Sequence, residues 1–260
     1  MINPKIALWF GYVLYAFDYI RNLFTTPKIL NKPIHIIYID GNISGGKSSL
    51  MTNLSNFKYN NHQITIMKEP LGLWDGIKDK DGLTLFKKYY SERSRYSYTF
   101  QQFVLLSKID LLRNTIKELD KKENNILFVE RSFMTDSEIF AKMCYENKFM
   151  NDLEYQIYNM WYKFVTDILC SYEDEGIIKQ HYICLNTKST ICYDRLRKRN
   201  RDGEEGISLE YLETLESKHK KLCEDNPKII VIDNDKNIFT NDDINNQINN
   251  LFMVINKKLI

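Results

Sequence analysis

The chain has 260 residues, 43% hydrophobic and 27% charged, which is apolar enough for one core of α/β size. Its 36 basic residues nearly balance 34 acidic ones, for a formal charge of +2. That balance argues against a protein that coats nucleic acid, which needs a net basic surface, but leaves room for a small phosphorylated ligand.

Residues 1–33 stand apart as an N-terminal apolar segment and linker. "IALWFGYVLYAF", residues 6–17, carries no charge, yet it is shorter than the about 20 residues a membrane span needs. It has only Lys5 as a basic end and no small-x-small cleavage site, and it is poor in the Arg and Ser of a mitochondrial presequence. The favoured reading is a helix packed on the body or on a partner; membrane association through 6–24 is the less favoured one. Pro27 and Pro33 bracket the linker, and a single domain is expected over 34–260.

From residue 34 the pattern alternates strand and helix. "IHIIYI" (34–39), "ITIMK" (64–68), "ILFVE" (126–130), "HYICL" (181–185) and "KIIVI" (228–232) are short runs rich in Ile and Val, as in strands buried on both faces of a parallel sheet. Helical stretches are expected at 96–119, 136–147, 151–171, 188–199 and 208–224. A terminal helix is expected from the spacing of Ile244, Ile248, Leu251 and Val254. This alternation predicts an α/β three-layer sandwich. The five cysteines are widely spaced with no CxxC-type pair, which favours reduced thiols in the cytoplasm over a zinc site or a disulfide framework. The four histidines fall in no catalytic or metal motif.

Between the first strand and a helix start, Gly41-Asn42-Ile43-Ser44-Gly45-Gly46-Lys47-Ser48, followed by Ser49, fits GxxxxGK[ST]. Glycines let successive backbone N–H groups curl inward as an anion nest at a helix N-terminus. Lys47 is expected on the β- and γ-phosphates of a nucleoside triphosphate, and the Ser48 hydroxyl on Mg²⁺. A tight turn without a ligand is the competing reading, and the correct flanks on both sides disfavour it.

Three further segments bear on what receives the phosphate. The second strand runs into Glu69-Pro70, with Trp74 five residues beyond Glu69. A carboxylate at that end of a parallel strand lies on the ligand edge, where it can accept a proton from an attacking hydroxyl. The third strand ends in Glu130-Arg131 on the same edge, suiting a metal-side acid and a charge clamp; a structural ion pair is the alternative. In "DRLRKRNRDGEEG" (194–206), Arg195 and Arg199 share one helix face before a break at Asn200, Asp202 and Gly203. Arginines on such a mobile lid can neutralise transferring phosphate oxygens; a solvated charge run is the alternative.

The chain resembles the deoxynucleoside kinase family, which includes deoxycytidine, deoxyguanosine and insect-type broad-specificity enzymes. The resemblance covers roughly residues 34–240 through the phosphate loop, Glu69-Pro70 with Trp74, "YSYTFQQFVLLSKI", "ERSFMTDSEIFA", the arginine lid and "GISLEYLETLESKH". Thymidylate-type monophosphate kinases carry "DR[YH]" where this chain has "ERS". The fold implied is a P-loop kinase sandwich with a five-stranded parallel sheet, usually a homodimer through a helix bundle. The activity implied is ATP-dependent phosphorylation of a deoxynucleoside 5′-hydroxyl, with Mg²⁺, in nucleotide salvage. By resemblance, Glu69 is the base and Arg131 sits by the 5′ position. Trp74 and Phe140 line the nucleobase slot, and Gln101 bonds the base edge. Tyr90 and a lid carboxylate hold the 3′-hydroxyl. Glu130 and Ser48 serve Mg²⁺, while Arg195 and Arg199 clamp the triphosphate.

The chain departs from the family pattern twice. "GEEGI" lacks the spacer residue that follows the acidic pair in the family, so the sugar carboxylate is Glu204, or Glu205 after a one-residue shift. At the base, Asp136 resembles members that favour cytosine or purines, but Lys108 replaces their arginine, and Val104 resembles the thymidine-accepting branch. The expected substrates are dC or purine deoxynucleosides, with broad specificity as the wider reading. A nucleoside monophosphate kinase and a catalytically retired nucleotide-binding subunit are the alternatives.

Overall fold

The computed structural model describes residues 33–57, 59, 62–119, 125–201, 204–236 and 241–259, with the side chains of 241 and 256–259 excepted. The N-terminal apolar segment and the lid residues Asp202 and Gly203 lie outside the described residues. Five strands form one parallel sheet in the order β2-β3-β1-β4-β5. They are β1 (Ile34–Gly41), β2 (Gln63–Met67), β3 (Asn125–Glu130), β4 (Ile178–Asn186) and β5 (Ile229–Asp233). β1 lies at the centre, where the chain order reverses, so the C-terminal ends of β1 and its neighbours open onto one crevice.

The continuous apolar character of β1 and β3 follows from helices on both faces. Ile34, Ile36 and Tyr38 join Leu127 and Val129 in the core under α4 (Arg93–Leu119) and α7 (Asp152–Asp174). Ile37, Ile39, Ile126 and Phe128 face the other way, against α1 (Lys47–Leu54) and α10 (Asn241–Leu259). Side chains alternate along a strand, so both sets must be apolar when both faces are covered. A third cluster joins Ile43, Ile139, Cys192, Leu196, Ile207 and Leu212 beneath the phosphate loop and the lid. There α8 (Ser189–Arg199) packs on α9 (Leu209–Asp225).

Two short helices were not expected: α2 (Leu71–Gly76) and α3 (Leu85–Ser91). The helix expected at 136–147 begins earlier, as α5 (Phe133–Thr135), then widens to a π-helical turn over Asp136–Ala141 and ends as α6 (Lys142–Glu146). α7 starts on a capping box in which the Asn151 side chain accepts from the Leu153 and Glu154 N–H groups and Glu154 accepts from Asn151 N–H. Its inward face buries Tyr158, Val165, Leu169 and Tyr172. Its outward face exposes Leu153, Ile157, Met160, Trp161 and Phe164.

Candidate active site

The strand ends converge on a cavity of about 540 Å³, lined from Ile43 in the phosphate loop to Asp136 and Phe140 in the π turn. The phosphate loop takes its shape from backbone requirements that few side chains meet. Gly46 has φ 96°, and a Cβ there would lie 2.5 Å from Asn234 Nδ2. Gly41, at φ 138°, would bring a Cβ to 2.7 Å from the Leu185 carbonyl oxygen. Asn234 Nδ2 and Thr187 Oγ1 donate to the Gly45 carbonyl at 2.7 and 3.0 Å, tying the loop to the ends of β5 and β4. Asn42 is buried below the loop, donating to the Leu212 carbonyl at 2.9 Å, and Gly41 sits beside it; neither lines the cavity, whereas Ile43 through Ser49 do.

Lys47 is buried and donates to the carbonyls of Gly41 (3.1 Å) and Asn42 (2.8 Å). Burial and the nearby Arg131 guanidinium lower its ammonium to about 8. Ser48 Oγ donates to Glu130 Oε1 at 2.6 Å, so a hydroxyl and a carboxylate, both hard oxygen donors, meet at the foot of the loop.

Across the cavity, Arg131 Nε donates to Glu69 Oε1 at 2.7 Å. Burial pushes the Glu69 carboxyl up, but Arg131, Lys47 and Lys108 outweigh it and hold the group below its ordinary value. Arg131 has φ 66°, a left-handed backbone that costs a non-glycine residue about 1–2 kcal/mol. The conformation is held by its N–H on the Ile39 carbonyl (3.0 Å), Lys108 Nζ on its own carbonyl (2.9 Å), and Ser132 N–H on Asp40 Oδ1 (2.8 Å). Its guanidinium lies 4.4 Å from the Phe140 ring centre, and Nη1 is buried without a hydrogen-bond partner.

Trp74, Tyr90, Phe100, Val104 and Phe140 give the same cavity a largely aromatic lining, together with buried Gln101 and Asp136. Trp74 is fixed by its indole N–H on Ser107 Oγ (3.0 Å) and an edge contact with Phe100 at 5.6 Å. Gln101 and Lys108 are seven residues apart on the buried stripe of α4, two polar groups where packing alone asks for apolar ones. Lys108 forms a fully buried ion pair with Asp136; burial raises the Asp136 carboxyl against the pull of Lys108 and Arg131.

From the lid, Arg195, Arg199, Arg201 and Glu204 reach the cavity. Glu204 is buried and accepts from Arg199 (2.6 Å) and Arg201 (3.4 Å), whereas Glu205 is exposed. Arg195 donates to the Asn234 and Lys236 carbonyls at 3.4 and 3.1 Å, bracing the loop after β5. The cavity thus gathers Lys47, Ser48, Glu69, Trp74, Tyr90, Gln101, Glu130, Arg131, Asp136, Phe140, Arg195, Arg199 and Glu204 from six separate stretches of sequence. Sequence reasoning missed Asn234 and Gln247, which are joined by a 2.7 Å hydrogen bond at the phosphate-loop end; neither belongs to a motif. It also missed Arg201, although the residue stands in the basic run already singled out.

Residues 37–257 match the sequence model of the deoxynucleoside kinase family. A probable deoxycytidine kinase of fowlpox virus is 35% identical over 190 residues, covering 73% of this chain and 72% of the relative. Deoxycytidine kinase 2 of Gallus gallus is 33% identical, covering 73% and 74%. The mitochondrial deoxyguanosine kinase of Xenopus laevis is 29% identical, covering 80% and 81%. The match spans the strand ends that build the cavity. On these grounds the chain belongs to the deoxynucleoside kinase family and is an enzyme that phosphorylates deoxynucleosides.

Proposed function

We propose that the enzyme transfers the γ-phosphoryl group of ATP, with Mg²⁺, to the 5′-hydroxyl of dC or a purine deoxynucleoside, with broad specificity as the wider reading. The observation that carries the base assignment is that buried Asp136 and Gln101 line the same cavity as the aromatic residues Trp74 and Phe140. A carboxylate accepts from an exocyclic amine, and a primary amide both donates and accepts along a base edge. Trp74 and Phe140 supply faces for stacking. Val104 narrows the slot from the α4 side.

Glu69, ionised at neutral pH, orients the 5′-hydroxyl and accepts its proton as the oxygen attacks. Arg131, held beside it with one free donor, offers that hydrogen bond to the reacting oxygens. Backbone N–H groups of the phosphate loop and Lys47 hold the β- and γ-phosphates, and Arg195 and Arg199 neutralise the equatorial oxygens. Ser48 and Glu130 are the oxygen donors that would hold Mg²⁺, which when bound offsets the negative charge of the phosphates. Tyr90 and Glu204 take the 3′-hydroxyl; the burial of Glu204 and the exposure of Glu205 favour this choice.

The test is initial rates with ATP and each of dC, dA, dG and dT, with the product identified by chromatography. Highest kcat/KM for dC, dA or dG is expected, and a clear preference for dT would overturn the base assignment. Glu69→Ala retaining wild-type kcat on every substrate would remove Glu69 from the base role.

A homodimer is proposed on the outward stripe of α7, where Leu153 and Met160 are 71% and 72% exposed beside Ile157, Trp161 and Phe164. A continuous apolar stripe of this kind is more than a monomer ordinarily leaves in water. A second copy of the same helix offers the matching face. Among the described residues no helix is long and apolar enough to cross a membrane. We place the enzyme in the cytoplasm on the free state of its five cysteines.

A further inference from the structure

Arg93 begins α4 immediately after Glu92 ends α3, and it lies outside the cavity lining. Its guanidinium carbon sits over four rings: Tyr211 at 4.8 Å, Tyr90 at 5.3 Å, Tyr89 at 5.6 Å and Phe149 at 5.9 Å. Among the described residues no carboxylate forms an ion pair with it; the rings surround its cation, and the Tyr211 side chain also hydrogen-bonds it. The four rings come from three separate stretches. Tyr89 and Tyr90 close α3, Phe149 lies between α6 and α7, and Tyr211 is in the first turn of α9. That turn directly follows the lid and is capped by Ser208 Oγ, which accepts from Tyr211 N–H at 3.1 Å.

Of the four rings, Tyr89 and Tyr90 line the cavity, and Tyr90 is the one that interacts with Glu204. Phe86 and Tyr89 hold its ring edge-on at 5.1 and 4.9 Å. Those contacts set the tilt of the ring, and the Arg93 guanidinium lies against it at 5.3 Å from its centre. A planar guanidinium stacks on a ring through either face and meets further rings with its N–H edge, a fixed geometry that a compact lysine ammonium does not reproduce.

We propose that Arg93 is a positioning residue for sugar selection: it fixes the Tyr90 ring against the cavity and couples it, through Tyr211, to the root of the lid. The inference rests on the reading of Tyr90 as a partner of the 3′-hydroxyl. Arg93 does not touch the substrate; its effect passes through the Tyr90 hydroxyl.

The test compares kcat/KM for a 2′-deoxynucleoside with that for its 2′,3′-dideoxy counterpart, in wild type, Tyr90→Phe, Arg93→Leu and the double variant. A fall in folded enzyme scales both substrates equally and leaves their ratio unchanged, so the ratio reports positioning and not stability. Tyr90→Phe is expected to lower the ratio about tenfold, the loss of one substrate hydrogen bond. Arg93→Leu is expected to lower it about fivefold or more, mainly through KM of the deoxynucleoside, and to add nothing in the Tyr90→Phe background. A wild-type ratio in Arg93→Leu alongside a lowered ratio in Tyr90→Phe overturns the proposal while leaving the Tyr90 reading intact. An equal further drop on the Tyr90→Phe background overturns it too, because Arg93 then acts elsewhere. An unchanged ratio in Tyr90→Phe overturns the Tyr90 reading and the proposal with it. Arg93→Gln, neutral but of similar length, is a second variant to which the same outcomes apply.

Discussion

Lys47 offers a direct measurement of how the phosphate loop is charged before its ligand arrives. In the structure its ammonium is buried on two carbonyls, and burial with Arg131 brings it down to about 8. A bound triphosphate brings several negative charges to the same nitrogen and raises its pKa. Affinity is therefore fully present below the pKa of the empty site and is lost as pH rises through it, because the lysine must regain a proton to bind. With an empty-site value of about 8, affinity for a non-transferable triphosphate analogue should fall about eightfold, or about 1.3 kcal/mol, between pH 7.5 and 9. Titration calorimetry at pH 8.5 in buffers of different ionisation enthalpy should show uptake of about three-quarters of a proton per ligand. Lys47→Arg cannot lose its proton in this range and should show neither the fall nor the uptake. Flat wild-type affinity across the range with no proton uptake would refute the reasoning.

Three further outcomes are expected. Arg131→Met removes the main cation that holds the Glu69 carboxyl below its ordinary value, so the acid limb of the kcat/KM profile should move to higher pH; an unmoved limb would separate the two groups functionally. Lys108→Met leaves Asp136 buried without its ion-pair partner, with only the Arg131 charge nearby, and should cost about 3 kcal/mol in urea unfolding, largely recovered in Lys108→Met/Asp136→Leu. Met160→Asp together with Trp161→Asp places charge on the outward α7 stripe and should halve the mass measured by light scattering, with the fold retained by circular dichroism.

What could be read from the chain alone depended on how local each requirement is. β1 and β3 were legible because both faces are covered, which leaves a continuous apolar run for each. The phosphate loop was legible because its demands on glycine are met within eight residues. Glu69, Glu130 and Arg131 could be singled out because the residues at or just past the C-terminal end of a parallel strand emerge at one sheet edge. α2 and α3 span six and seven residues, too few for a helical period to stand out. Asn234 and Gln247 reach the phosphate loop through single long-range contacts, which leave no spacing to recognise. The proposed base slot has no signature of its own in the sequence and rests on the resemblance: on α4, aromatic and aliphatic residues at helical spacing look the same whether they face a core or a ligand. Gln101 and Lys108 are the exception, since two polar residues seven apart on a buried stripe need partners.

The widened turn over Asp136–Ala141 has a consequence for length changes in this part of the chain. Each hydrogen bond there spans one residue more than in an ordinary helix. The turn therefore splices two phases: α5 keeps the angle dictated by Ser132 on the phosphate edge, and α6 keeps the angle dictated by Met143 and Cys144 in the cores. Removing one residue would restore a regular helix and rotate one side against the other by about 100°. Either Asp136 would swing off Lys108 or Phe140 off Arg131. Residue count at this splice thus sets how Asp136 and Phe140 line the cavity in a way no side-chain exchange reproduces, and on the proposed base assignment an insertion or deletion here should alter base choice.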